Sequence, residues 1–239
     1  VTTSGTSGFN LDLNDIIEEA FERCGVEVRT GYEHRTARRS LNLLTIEWAN
    51  RGINLWTIEQ GSIPMEQGEA VYALPEGTID LLDQVIRTQS GVNQTDINIS
   101  RISVSTYATI PNKNTQGRPI QVWIDRQSGA TEPTGLASPE IYVWPTPDQG
   151  TLANPFYTFV YWRLRRIQDA GTGTSTQDIP FRMLTCLVAG LAYYLSLKIP
   201  EAANRIEMLK MAYEEQWLLA SSEDREKASL RLAPREMFY

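Results

Sequence analysis

The residues that could do chemistry in this chain are few and lie far apart. His34 is the only histidine, so a Ser-His-Asp triad would have to be built around it, in front of a basic segment. One histidine and the two distant cysteines, Cys24 and Cys186, do not supply a zinc site. We therefore predict an exposed histidine near a helix start and two buried free thiols.

Two further patterns resemble catalytic motifs only superficially. Residues 171–176 read Gly-Thr-Gly-Thr-Ser-Thr, but they lack the Gly-Lys-Ser/Thr end of a P-loop and the third glycine of a dinucleotide fingerprint. They favour a flexible connection. The neighbouring acids Glu18–Glu19 and Glu214–Glu215 point about 100° apart on a helix, which predicts a solvated face. We predict no enzyme, no cofactor and no metal, although distant strand acids leave a glycosidase pair open.

Composition limits the possible partners. The 239-residue chain has 41% hydrophobic and 21% charged residues, as globular proteins do, and a formal net charge of −7. That charge argues against coating DNA, which requires neutralising phosphates with Lys and Arg. Residues 1–10 indicate a flexible leader without signal-peptide features. The apolar run 183–197 is too short to span a membrane, so we predict a soluble protein made in the cytoplasm.

Amphipathic helices are predicted at both ends of the chain. Leu13, Ile16, Ile17, Ala20, Phe21 and Cys24 share one helical face, with Asn10 or Asp12 as the cap and Gly25 as the stop. A second helix is expected from about His34 to Asn50. A third should follow its cap Asp178, and the last should begin near Ile206 and continue past Glu223 towards Leu232.

Between these helix pairs the hydrophobic period changes to that of strands. We predict strands at residues 53–60, 70–74, 79–87, 97–107, 119–126, 140–144 and 156–167, separated by Gly-, Pro- and Asn-rich turns. Several short strands without intervening helices indicate an antiparallel sandwich or barrel. The predicted fold class is α+β, with a helical bundle domain from 11–52 and 178–222, an inserted β-rich domain at 53–169 and an extended C-terminal arm at 223–239.

Two charged regions are candidates for contact with partners. Arg35, Arg38 and Arg39 form a basic cluster on the second helix, suited either to an acidic neighbouring subunit or to acids of the same chain. In the C-terminal arm, acids and bases alternate before the apolar end Met237-Phe238-Tyr239. Docking of this end onto a partner is the sharper hypothesis, against a tail that folds back or is disordered.

Several local strings occur in an order that resembles the head-to-tail adaptor proteins of short-tailed bacteriophages, the tail tubular protein A-like family. The resemblance covers roughly residues 11–234. It rests on Trp48-Ala-Asn-Arg-Gly52, on Gly68-Glu-Ala-Val-Tyr72-Ala-Leu74-Pro75, on Tyr142-Val-Trp-Pro145-Thr-Pro147-Asp and on the helix pair that opens at Ile179-Pro180-Phe181. Each string is weakly specific alone, and their common order is moderately specific.

The resemblance implies a structural protein at the head–tail junction of the virion. Such adaptors form a twelve-membered ring under the portal, bind the tail nozzle, and extend the channel that double-stranded DNA traverses without sequence-specific binding. By position, residues 221–239 would clasp the portal and 97–166 would face the tail. The portal-binding residues would be Arg225, Lys227, Leu230, Leu232, Pro234, Met237, Phe238 and Tyr239.

Ring assembly would also need contacts between subunits. Arg35, Arg38 and Arg39 are the expected basic contacts, and Trp217 on the last helix would either serve a neighbour or pack within its own chain. Two other functions stay open at this point. One is another phage head-completion or tail-terminator protein, and the other is a carbohydrate-binding β-domain protein, with or without glycoside hydrolase activity.

Overall fold

The computed structural model describes residues 3–52, 55–89, 91–126 and 138–224. The chain divides into two compact units at Leu55/Trp56 and at Arg166/Ile167. We call the unit formed by the two outer parts the helical unit and the unit between them the β unit. Within the described ranges the helices are Leu13–Cys24 (α1), Gly31–Arg51 (α2), Val104–Ala108 (α3), Leu184–Ser196 (α4) and Ile206–Glu223 (α5).

The ends of α1 and α2 are fixed by their own sequences. Asp12 caps α1 by accepting the Asp15 N–H, and Gly25 ends the helix with a φ of 82°, in the left-handed region that glycine tolerates. Thr30 and Glu33 form a capping box at the start of α2. Helix α2 therefore begins three residues before the predicted His34.

Helix α4 is the centre of the helical unit, since it contacts α1, α2 and α5. Most of its residues are buried. Gly190 marks the closest approach, because a Cβ there would lie 2.8 Å from Leu44 Cδ2 and 2.9 Å from Tyr213 Cε2. The buried stripe of α2, which includes Ala37, Leu41, Leu44 and Trp48, meets α4 on this side.

The β unit contains two four-stranded sheets. Its strands are Ile58–Pro64 (β1), Val71–Ala73 (β2), Thr78–Thr88 (β3), Thr95–Asn98 (β4), Ser100–Arg101 (β5), Gln121–Asp125 (β6), Glu140–Trp144 (β7) and Tyr157–Arg165 (β8). The strand orders are β1-β8-β3-β4 and β2-β7-β6-β5. All pairs are antiparallel except β5 with β6.

One hydrophobic core joins side chains from both sheets. Strand β6 alternates buried Val122 and Ile124 with half-buried polar and aromatic residues, and β7 does the same with Ile141 and Val143. These residues cluster with Phe159 of β8 and with others of the first sheet. The fold class is α+β, as predicted, but among the described residues the sheets have free edges and do not close into the barrel that we had considered.

Two predicted elements are wrong. The strand expected at 97–107 is divided into β4, β5 and α3, because Ser103 accepts the Thr106 N–H and caps a short helix. Asp178 does not cap α4; its carboxylate accepts the Gln168 N–H at 3.1 Å. A 3₁₀ turn, Phe181–Met183, comes between Pro180 and α4.

Candidate interaction surfaces

The predicted basic cluster is an exposed face of α2. The side chains of Arg35, Arg38 and Arg39 are exposed and make no ion pair with any described residue. Two apolar side chains continue this face, Leu43 with 49% and Ile46 with 47% of their surface exposed. We call these five residues the basic face. No described residue compensates its positive charge, and apolar surface lies beside it, which suits an acidic protein partner.

Trp217 packs within its own chain. Its ring lies 5.7 Å from the Trp48 ring and 4.6 Å from the Arg51 guanidinium, in cation–π geometry. The indole is half-buried, so part of it is still accessible. Its predicted contact with a neighbouring subunit stays a prediction.

Arg51 is the centre of a polar network on the same side of the unit. It forms a bidentate pair with Glu214, at 3.2 and 3.0 Å, and pairs with Glu47 at 2.5 Å. The hydrogen bond to Arg51 holds the pKa of Glu214 below its usual value. Glu47 also accepts hydrogen bonds from the hydroxyls of Tyr194, at 2.5 Å, and Tyr213, at 3.4 Å. The network joins α2, α4 and α5.

The opposite charge lies on α1. Asp15, Glu18 and Glu22 are exposed on one side of the helix. A groove of about 610 Å³ runs beside them, against the first residues of α4, and Phe9 lies on its rim with 79% of its surface exposed. Of these acids, only Glu18 was predicted, with Glu19, to lie on an ordinary solvated face. Their i, i+3, i+7 spacing was the available signal, but the groove beside them depends on where α4 packs.

The C-terminal end of α5 is anchored to the helical unit. The Asp224 carboxylate accepts from Arg182 Nη2 at 3.1 Å and from the Leu55 N–H at 3.4 Å, and its side chain is 1% exposed. Helix α5 ends at Glu223, and Asp224 leaves the helical conformation. The predicted continuation of the helix is therefore wrong at Asp224, and its remainder from Arg225 lies outside the described residues, as do all eight predicted portal-binding residues.

Aromatic side chains cluster on the outer side of β6 and β7. Trp123 lies 5.4 Å from Tyr107 and 4.7 Å from Tyr142, measured between ring centroids. Glu140, the neighbouring acid, accepts the Tyr142 hydroxyl at 3.1 Å. The rings therefore pack against one another, and the nearest carboxylate is already hydrogen-bonded to Tyr142. These contacts give no support to a glycan site.

The residues that resembled catalytic motifs have structural contacts. Burial raises the pKa of the Cys24 thiol to about 11 and that of Cys186 to about 12, so neither is a thiolate at neutral pH. In the glycine-rich segment, the carbonyls of Gly173 and Ser175 accept the N–H groups of Asn14 and Leu13, at 3.0 and 3.1 Å. A phosphate cradle needs N–H donors that face the ligand, whereas this segment presents acceptors to the start of α1. It is thus held against the helix, which the flexible connection we predicted did not anticipate.

The described residues hold neither a metal cluster nor a membrane-spanning helix. Within the described ranges, no group of three or more His, Cys, Asp and Glu residues could hold a metal ion. Among the described helices, none combines the length and apolarity needed to cross a bilayer.

Comparison with protein families gives the class of protein, a bacteriophage head-to-tail adaptor, which is a structural protein of the virion. The resemblance drawn from the sequence is thus confirmed. Residues 12–235 match the family described as SU10 adaptor protein, and the chain belongs to that family. No curated protein matches the chain. The family indicates a structural connector between head and tail.

Proposed function

We propose that this chain is a non-enzymatic ring subunit that joins the capsid portal to the tail nozzle and lengthens the DNA channel. The observation that carries the proposal is the family match over residues 12–235, which spans both units and most of the arm. In this proposal the long helices form a bundle, the two sheets form a sandwich, and twelve copies surround the channel, as the resemblance to the tail tubular protein A-like adaptors implies.

The portal side of the subunit is the C-terminal arm. Asp224, at the start of the arm, is held by Arg182, which fixes where the arm begins. Those residues combine basic side chains with Met237, Phe238 and Tyr239, a composition suited to clasping a neighbouring protein. We assign portal binding to residues 221–239, including the eight residues named from the sequence.

The tail side is assigned to the β unit, in particular to residues 97–166. The channel lining is assigned from charge, since a net charge of −7 gives a wall that repels the phosphates of passing DNA rather than binding them. Double-stranded DNA would pass without sequence-specific contact. The subunit would be made in the host cytoplasm and then become part of the virion.

The test is native mass spectrometry of the chain mixed with the portal ring of the same phage. The full chain should give a discrete complex with about one adaptor copy per portal subunit, as closed rotational symmetry predicts. A variant truncated after Asp224 keeps every described residue and should lose binding. Circular dichroism and the thermal midpoint of the truncated variant control for folding.

The outcomes separate the two parts of the proposal. If the full chain stays free in the mixture, the adaptor assignment to this portal is wrong. If the truncated chain binds as well as the full chain, the adaptor role stands and the arm is removed from the portal contact.

A further inference from the structure

We propose that the basic face of one copy docks into the acidic groove of α1 and α4 on a second copy of this chain. The inference rests on the proposed ring and names the two surfaces by which neighbouring subunits recognise each other. The acidic groove is defined by its charged rim, Glu18 and Glu22, and by the apolar residues Phe9, Leu184 and Val188.

The basic face has no partner within the described part of its own chain. Arg51 on the same helix differs, since it forms ion pairs with Glu47 and Glu214. Within the described ranges no acid pairs with Arg35, Arg38 or Arg39, and Leu43 beside them is half-exposed. Three guanidinium groups without an ion-pair partner among the described residues, next to apolar surface, have the composition of the charged edge and apolar centre of an interface.

The acidic groove has the complementary composition. Glu19 is paired with Arg23 at 2.9 Å, whereas Glu18 and Glu22 make no ion pair with any described residue. The groove of about 610 Å³ between this rim and α4 offers space for the apolar side chains of a helix face. Phe9 on its rim gives an exposed aromatic contact.

The two surfaces differ, so each copy can offer the basic face to one neighbour and the acidic groove to another. A two-fold contact of the basic face with itself would set guanidinium groups against guanidinium groups, which is destabilising. Pairing the basic face with the acidic groove is a head-to-tail contact. Each copy then has one of each surface, and such contacts close into a ring when the rotation per subunit permits.

The test uses two charge-reversed variants of the full chain. The basic-face variant is Arg38→Glu with Arg39→Glu, and the groove variant is Glu18→Lys with Glu22→Lys. All four changed side chains are exposed, and none has an ion pair with a described residue to lose. Glu207→Lys with Glu215→Lys on α5 is the control, because it changes the net charge as the groove variant does.

The readout is the number of adaptor copies in complexes with the portal ring, by native mass spectrometry. Each variant alone should show at least a tenfold loss of complete complexes, since like charges then meet at every contact. An equal mixture of the two variants should regain complete complexes containing both, because Glu meets Lys and Arg meets Glu at alternate contacts. The wild type and the control should assemble, and raised salt should weaken the wild-type contact.

Each other outcome has a separate meaning. If the wild type and both variants assemble equally, the pairing is wrong while the ring proposal stands. If the mixture stays unassembled, or the control fails as the groove variant does, specific pairing is also rejected. If the basic-face variant forms adaptor rings that no longer bind the portal, the basic face belongs to the portal contact. If the wild type fails to assemble, the proposed ring itself is rejected.

Discussion

The Trp48 indole donates its N–H to the Tyr213 hydroxyl oxygen over 3.0 Å, and both side chains are almost completely buried. The bond joins α2 to α5 across 165 residues of sequence. Trp48 has only this one donor, and an indole N–H buried without an acceptor is costly. The pair therefore fixes the position of the helix that leads to the C-terminal arm.

The first prediction concerns this bond. Tyr213→Phe keeps the ring in place but leaves the Trp48 N–H without its acceptor, so the free energy of unfolding should fall by about 1–3 kcal/mol. Urea denaturation measures the change. The matched control is Tyr193→Phe, whose hydroxyl makes no hydrogen bond with a described residue and whose ring stacks on Tyr213. Equal losses in the two variants would contradict the assignment.

The second prediction concerns the close approach at Gly190. A methyl group there would lie under 3.0 Å from side-chain atoms of Leu44 and Tyr213, so Gly190→Ala should separate α4 from its neighbours. The expected loss of unfolding free energy is about 1–3 kcal/mol, despite the better helix propensity of alanine. Gly31→Ala in α2 is the control, since nothing lies within 4 Å of that position. Its thermal midpoint should stay level or rise, and a neutral Gly190→Ala would show that the helices can move apart freely.

Local sequence signals predicted those parts of the fold that depend on neighbouring residues. Asp12 and Gly25 placed α1 correctly, and the alternation in 140–144 gave β7 with both ends correct. The Thr30–Glu33 capping box is also a local signal, and it explains why α2 begins before the predicted His34. The strand predicted at 97–107 is wrong because its apolar content favours a strand, whereas Ser103 caps a short helix within it.

Features that depend on distant residues could not be read from the sequence. Nothing near Trp48 indicates that its acceptor is Tyr213, and nothing near Glu18 indicates that α4 completes a groove beside it. The arginines of α2 could be named from sequence. Whether acids of the same chain neutralise them required the structure, which shows that Arg51 is neutralised while Arg38 and Arg39 are not paired within the described residues.

The third prediction concerns acid stability of the β unit. Glu59 lies opposite Arg163 on neighbouring strands and accepts hydrogen bonds from Arg163 at 2.7 Å and Arg165 at 2.6 Å. These arginines, Arg163 first, lower the pKa of Glu59. Its contribution to stability is therefore present above the unfolded-state pKa of about 4.3 and is lost as pH falls below that value through the lower folded-state pKa.

Glu59→Gln should lower the free energy of unfolding by about 1 kcal/mol at neutral pH, since the carboxylate is 42% exposed and screened by solvent. The difference from the wild type should shrink as urea titrations move to acid pH. Glu76→Gln, on an exposed carboxylate without an ion pair to a described residue, should change little. A difference for Glu59→Gln that persists unchanged in acid would reject the electrostatic cause.

The fourth prediction concerns alkaline pH and Tyr194. Burial, with the hydrogen bond to Glu47, raises the pKa of the Tyr194 phenol to about 12, whereas an unfolded tyrosine ionises near about pH 10. The folded state thus holds this proton more tightly, so the stabilising contribution is complete below about pH 10 and disappears as pH rises to about 12.

The wild type should lose stability over this interval more steeply than Tyr194→Phe, as measured by urea unfolding at successive pH values. Tyr32→Phe, at an exposed tyrosine, is the matched control. It should lose unfolding free energy with rising pH as steeply as the wild type. Parallel slopes for the wild type and Tyr194→Phe would show that the Tyr194–Glu47 contact does not hold the proton.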